Sequence, residues 1–351
     1  MWHPRRVTRA RGAWAALGLL ALVLGCGSGR DEQTSTARGA VNGSEDLGEQ
    51  YSMVVGLVTK KGQYLSRCTG TLLARNLVLT ARHCVAPNSG GFVTCGQAPL
   101  GDPYPPEDSL VTSKVVQSDL PEDWVKVARI EVAPGGNDTC GFDLAALVLA
   151  GDGLGAAAPT AAPRIGSALA AGELYTAVGY GSSGSGGIGT RRYKTGVSVT
   201  CVGEACAPEP AAANEWIGED DAFCQNDSGG AALDEQGRLA GVVSRGISPC
   251  STPILATTSA WKAWLVELGA AAALEGGYSA PEWAGGTPAD AGSDADSDAG
   301  AEAGAPASAS SPVDDSGSCG VSSRRSRGIH WLLLALAAGL GCHPSRRRNR
   351  L

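Results

Sequence analysis

The sequence predicts an all-β globular body held between two export and anchoring ends, and three observations carry that reading. Basic charge is gathered in the ends, apolar runs of β type lead into the body's only histidine, and the body holds an even set of eight cysteines.

Charge separates the ends from the body. Residues 1–26 carry Arg5, Arg6, Arg9 and Arg11 and no acid, and residues 319–351 carry seven arginines and no acid. The other 17 bases face all 35 acids, so residues 27–318 have a formal charge of −18. A body of that sign repels phosphate backbones, which argues against nucleic acid as a partner.

A basic start, the apolar run Ala13 to Leu24 and then Gly25-Cys26 have the layout of a secretory signal over residues 1–26. Some 12 apolar residues are too few to cross a bilayer core of roughly 30 Å. VLGC, Val23 to Cys26, resembles a bacterial lipobox, in which the cysteine is lipidated and becomes the new N-terminus. An ordinary signal peptide with a chance cysteine is the alternative. At the other end, Cys319 in SGSCG, the apolar run Ile329 to Gly341 and an arginine cluster resemble the sorting signals of myxobacterial surface proteins. A short membrane anchor is the alternative for residues 319–351. Either reading gives an exported chain at the outer membrane or cell surface, held to a membrane by a lipid or a C-terminal anchor. Residues 27–39 read as a linker or short propeptide. Residues 276–318, rich in Gly, Ala, Ser, Pro and Asp, read as a disordered spacer, because they bury too little apolar area to offset ordering entropy.

The body's cysteines are 68, 84, 95, 140, 201, 206, 224 and 250. An even count in an exported chain points to disulfides. Zinc competes poorly, since histidine partners and CxxC pairs are missing, and no metal or organic cofactor is expected. Pairing is left open by the count alone. Of four histidines, His3, His330 and His343 belong to the ends, which leaves His83 after the runs Leu72-Leu73 and Leu77-Val78-Leu79.

Three segments fit one mechanism: CTGTLLARNLVLTARHC (Cys68 to Cys84), DLAALVL (Asp143 to Leu149) and CQNDSGG (Cys224 to Gly230). Each taken alone reads more simply as a strand end or a turn. Together, in the order His, Asp, Ser and with 60 and 85 residues between them, they resemble the chymotrypsin/trypsin-like serine proteases over residues 40–268. A serine hydroxyl needs a base to take its proton, histidine titrates near neutral pH, and a buried carboxylate fixes the imidazole tautomer and offsets its charge. The resemblance therefore implies two six-stranded antiparallel β-barrels with a C-terminal helix over residues 40–275. It also implies a serine endopeptidase acting on protein or peptide substrates, with His83 as base, Asp143 as its orienting acid and Ser228 as nucleophile. A peptide-binding protein of the same fold, weak or inactive as an enzyme, is the rival reading.

The same resemblance pairs Cys68 with Cys84 and Cys224 with Cys250, and leaves Cys95 with Cys140 and Cys201 with Cys206. It implies an activating protease that cuts before Ala40, whose freed amine would pair with Asp227. It makes VGYG, Val178 to Gly181, an interdomain strand and GVVSRG, Gly241 to Gly246, the substrate-pairing strand, with Ser244, Arg245 and Gly246 at the cleft. Trp261, Trp264, Leu265 and Leu268 fall on one face of the C-terminal helix.

Departures from the family pattern carry information. Ala222 stands at the pocket floor where trypsin-type enzymes have aspartate, so Lys or Arg at the cleaved residue is not the expected preference. Arg245 replaces an aromatic residue. Asn226 replaces the glycine whose N–H, with that of Ser228, binds the oxyanion; asparagine tolerates positive φ better than most residues.

Overall fold

The computed structural model describes residues 43–287, apart from 89, 91–92, 183–186 and 249. The signal, Cys26, the linker, Ala40, the segment from residue 288 onward and Cys319 lie outside the described residues. Among the described residues no helix is long and apolar enough to cross a membrane.

Six strands close the first barrel in the order β2-β3-β4-β7-β6-β5: β2 (Val54–Lys61), β3 (Tyr64–Ala74), β4 (Leu77–Thr80), β5 (Ser109–Thr112), β6 (Val125–Val132) and β7 (Ala145–Leu149). β-branched and leucine residues alternate through β2 to β4, so Val55, Leu57, Leu72 and Val78 meet Val111, Val127 and Leu147 inside the ring. Gly62, at φ 64°, turns β2 into β3, in a hairpin whose register sets Lys61 opposite Tyr64.

The second barrel comprises β8 (Leu174–Gly179), β9 (Arg192–Val202), β10 (Glu215–Gly218), β11 (Ala231–Leu233), β12 (Leu239–Ser248) and β13 (Ser251–Thr257). The pairing β9–β8 closes the order β9-β10-β13-β12-β11-β8, and the short β1 (Ser44–Glu45) adds to β9. Tyr175, Trp216, Phe223, Val243 and Leu255 fill this ring. The expected pair of six-stranded antiparallel barrels is the observed fold.

A third apolar cluster fills the seam between the barrels: Val54, Leu73, Leu79 and Leu144 from the first meet Val178, Tyr180, Ala231 and Val242 from the second. The C-terminal helix, Lys262–Glu275, buries Leu265, Leu268 and Ala272 in the same cluster, with Trp264 half-buried beside it. Trp261 packs there too, but from the 3₁₀ turn Ser259–Trp261 that precedes the helix.

Two features differ from the sequence reading. Residues 276–287, assigned by composition to the spacer, pack on the body: Tyr278 Oη donates to Asn76 Oδ1 at 2.6 Å, and Trp283 and Ala284 lie on Gly269 of the helix. Their aromatic rings supply the apolar area that the rest of that low-complexity stretch lacks. The second feature is a buried ion pair at the seam, Arg191 Nε to Asp46 Oδ2 at 2.7 Å, both side chains fully buried. Nη1 of Arg191 helps satisfy the desolvated charge, reaching Ser113 O at 2.8 Å and Tyr180 Oη at 3.0 Å, while Nη2 has no hydrogen-bond partner among the described residues.

Candidate active site

β4 delivers the chain through Ala81 into a single helical turn, Arg82–Val85, which holds His83 at the barrel seam. The disulfide Cys68–Cys84 ties this turn to β3. Asp143 follows the turn Thr139–Phe142 and is almost fully buried. Its carboxylate accepts three hydrogen bonds: His83 N–H to Oδ1 at 2.8 Å, His83 Nδ1 to Oδ2 at 2.7 Å, and Ser244 Oγ to Oδ2 at 2.6 Å. Burial alone would raise this carboxyl, yet the His83 charge and these donors outweigh it and hold Asp143 below its ordinary value. An ionised carboxylate only accepts, so Nδ1 is the donor in this bond, which leaves Nε2 as the acceptor whenever the ring is neutral.

Ser228 sits on the loop before β11. Its carbonyl accepts from Thr69 N at 2.8 Å on β3, next to the Cys68–Cys84 bridge. Gly229, at φ 80°, is forced by close approach: a Cβ there would collide with Thr69 O and Thr80 Oγ1. Gly181 is forced likewise, since a Cβ would lie 2.5 Å from Asp227 Cγ. The Ser228 hydroxyl bonds to no protein group among the described residues.

Asn226 has φ 71°, the left-handed region the sequence reading allowed for it. The carbonyl of Gln225 accepts from Ser182 N at 2.9 Å. In a trans peptide the following N–H points the opposite way, so the Asn226 N–H is directed away from Ser182. The N–H groups of Asn226 and Ser228 donate to no protein group among the described residues, leaving two free donors on either side of Asp227.

Asp227 itself is fully buried and accepts from Gly181 N at 2.7 Å and Cys224 N at 2.9 Å. Burial outweighs both bonds and pushes its carboxyl up to about 7. No cation pairs with it among the described residues; Ala40, its expected partner, lies outside them.

A cavity of about 480 Å³ opens beside Ser228, lined by Phe223, Val243, Gly246, Pro253, Ile254 and the Cys224–Cys250 bridge, with Ser244 and Arg245 along one wall. Ala222, expected at its floor, and the neighbouring Phe223 both pack in the core of the second barrel, and of the two only Phe223 also lines the cavity. Among the described residues no carboxylate lines it, and the lining includes neither Asp220 nor Asp221. A smaller recess of about 110 Å³ is lined by His83 and shares Val93, Ser244 and Arg245 with the larger cavity, so the two adjoin.

Sequence reasoning found Arg245 but missed its partner. Arg245 Nη1 and Nη2 reach Glu215 Oε1 and Oε2 at 2.6 and 2.7 Å, and Nη2 also donates to Pro210 O at 2.6 Å. Glu215 accepts in addition from Gly141 N at 2.8 Å, two residues before Asp143, and from Ala212 N at 2.7 Å. An apolar-strand position that carries a lone acid, as in NEWIG, was the available signal.

All four disulfides expected from the resemblance occur: Cys68–Cys84, Cys95–Cys140, Cys201–Cys206 and Cys224–Cys250. Cys68, His83 and Cys84 are close enough together to hold a metal, but both sulfurs are spent in a disulfide.

Two closed barrels with a histidine, a buried acid and a serine loop at their seam define the chymotrypsin-like class of fold. The family model for trypsin matches residues 40–265, and the chain belongs to that family. No curated protein sequence matches it. Among solved structures it is similar to the crystal structure of an inactivated protease paralogue from the scabies mite, at 16% identity and TM-score 0.51, over 64% of this chain and 97% of that one. At that identity the likeness speaks for the fold alone.

Proposed function

We propose that the chain is an exported serine endopeptidase. The observation that carries this reading is the His83–Asp143 pair, held at 2.7 Å with Nδ1 committed to the carboxylate, in a recess that shares lining residues with the cavity beside Ser228. In the proposed reaction Ser228 Oγ attacks the substrate carbonyl as its proton passes to His83 Nε2. The oxyanion takes the free N–H groups of Asn226 and Ser228. The imidazolium then gives the proton to the leaving amine, whose C–N bond breaks to leave an acyl-enzyme, and water repeats the cycle to free the acid and Ser228.

The apolar cavity without a carboxylate supports a preference for small or uncharged residues at the cleaved position. We assign residues 1–26 to export, with Cys26 or Cys319 anchoring the chain at the outer membrane or cell surface, and cleavage before Ala40 to activation through Asp227. One observation favours a second reading, a cleft that captures peptides without cutting them: the Ser228 hydroxyl makes no bond to His83. Apo sites often close that bond only around substrate. Peptide-library cleavage by the full chain with oxidised cysteines, beside Ser228→Ala, separates the two. Cleavage lost in the variant supports the enzyme, and a profile dominated by Lys or Arg at the cleaved residue sinks the specificity assignment.

A further inference from the structure

Asp143 is reached from the second barrel by a chain of three side chains. Ser244 Oγ donates to Asp143 Oδ2 at 2.6 Å, Arg245 Nη1 lies 3.4 Å from Ser244 Oγ, and the same Nη1 donates to Glu215 Oε1 at 2.6 Å. A guanidinium has no acceptor and an ionised carboxylate has no donor, so the direction is fixed: Arg245 to Ser244, Ser244 to Asp143. The Ser244 proton is thereby committed to the oxygen that also takes His83 Nδ1. A bulge in β12 makes the contact possible. Val243 pairs with Leu255 and Arg245 with Ile254, so Ser244 is the extra residue, and two neighbours that would otherwise alternate across the strand both line the His83 recess.

Glu215 holds the same acid from behind. Its carboxylate takes both Nη groups of Arg245 and also the N–H of Gly141, two residues before Asp143, and that of Ala212. One member of the pair thus reaches the Asp143 side chain and the other its backbone. Their side chains are 8% and 0% exposed, so water and salt screen these charges little.

We propose that the Glu215–Arg245 pair is a positioning device for the His83–Asp143 pair: it orients Asp143 through Ser244 and Gly141, and its two opposed charges set the base strength of His83. This deepens the endopeptidase reading and rests on it only for the part His83 plays as base. Removing one charge leaves the other unbalanced in a buried wall, and the sign of the effect at His83 follows the charge that remains. Removing both restores neutrality.

Other charged groups stand near the same histidine. Lys61 Nζ, from β2, donates to the His83 carbonyl at 2.8 Å; Arg82, on the same turn, is held by the carbonyls of Gly101 and Gly136 in the field of Asp102; Asp227, on the loop before β11, has a buried carboxyl pushed up to about 7. None of them changes among the variants below, so their fields cancel in the comparison. Asp227 titrates where histidines do, so the signal of the ring itself has to accompany the rate.

The full chain with oxidised cysteines and isotope-labelled histidine reads the His83 ring by NMR as pH is varied, with the signal assigned by its loss in His83→Ala, beside the acid limb of kcat/KM. Glu215→Gln leaves the Arg245 cation and is expected to move the His83 titration to lower pH by about 0.5–1.5 pH units. Arg245→Met leaves the Glu215 anion, kept ionised by the Gly141 and Ala212 N–H groups, and is expected to move it to higher pH. Combining the two brings the titration back near that of the unsubstituted protein, and Arg245→Lys, which keeps the charge, leaves it there. Packing damage alone does not give opposite signs that cancel. The Arg245 variants carry the test if Glu215→Gln fails to fold, and the NMR signal carries it if the chain does not turn over, so failure of the enzyme reading leaves the test standing. Shifts of one sign in both single variants, no shift in either, or a double variant that does not return overturns the proposal.

Discussion

Arg245 on β12 and Glu215 on β10 form a two-pronged ion pair in the wall of the cleft, with the Glu215 side chain fully buried and that of Arg245 only 8% exposed. The pair joins β12 to the backbone of Gly141, and so to the turn that precedes Asp143. A strut of this kind is costly to break and cheap to replace.

Glu215→Gln should therefore destabilise the fold by about 3 kcal/mol, because it strands a buried guanidinium. Glu215→Leu combined with Arg245→Met should recover the part of that loss due to the stranded charge but not the part due to the N–H groups of Gly141 and Ala212, which lose their acceptor. Denaturant unfolding of the three proteins checks both, and additive losses in the double variant would contradict the pairing.

Ser244→Ala removes one of three donors from Asp143. A hydrogen bond to a charged group of about 1.5 kcal/mol corresponds to roughly a tenfold fall in turnover with little change in KM. The stability signature has a defined sign. Asp143 titrates below its ordinary value in the fold, so its contribution is present above the unfolded value and is lost as pH falls through the folded one. Losing the Ser244 bond moves that acid-side loss to higher pH, readable as the acid limb of a melting-temperature profile.

At Asn226 the backbone, not the side chain, supplies the donor. Asn226→Gly should keep activity and raise stability by up to about 1 kcal/mol, because glycine takes φ 71° without strain. Asn226→Val should cost activity approaching the 100- to 1,000-fold (~3–4 kcal/mol) associated with a lost oxyanion donor, since a β-branched residue resists that φ and turns the peptide. Equal rates for the valine and glycine variants would contradict a role for this N–H.

Asp227 gives the opposite pH sign to Asp143. Its folded carboxyl is pushed up to about 7 from an ordinary 3.8, so the folded chain binds the proton more tightly; the stability it contributes is full below about 3.8 and is lost as pH rises through about 7. Asp227→Asn should flatten that slope. A chain cut before Ala40 should flatten it too, if the new amine reaches Asp227; an unchanged slope after cleavage would argue against that pairing.

The barrel architecture, the four disulfides and the His83–Asp143 contact were legible because each rests on short motifs in a fixed order, LTARHC, DLAALVL and CQNDSGG. What was not legible depends on register and on long-range partners. Asp46 and Arg191 are 145 residues apart and nothing local in either marks a buried ion pair. Phe223 lines the cavity where Ala222 was expected, because side-chain direction in an irregular loop is not set by counting from Ser228. Residues 276–287 hide two anchoring rings, Tyr278 and Trp283, inside a composition that reads as disordered.

Fluorophosphonate labelling of the full chain with oxidised cysteines, read by intact mass and peptide mapping, measures directly whether Ser228 is an activated nucleophile. The expected result is one adduct per chain, on Ser228, absent from Ser228→Ala and nearly absent from His83→Ala. A folded chain with all four disulfides formed that gains no adduct, whether or not it is cut before Ala40, would contradict the endopeptidase reading.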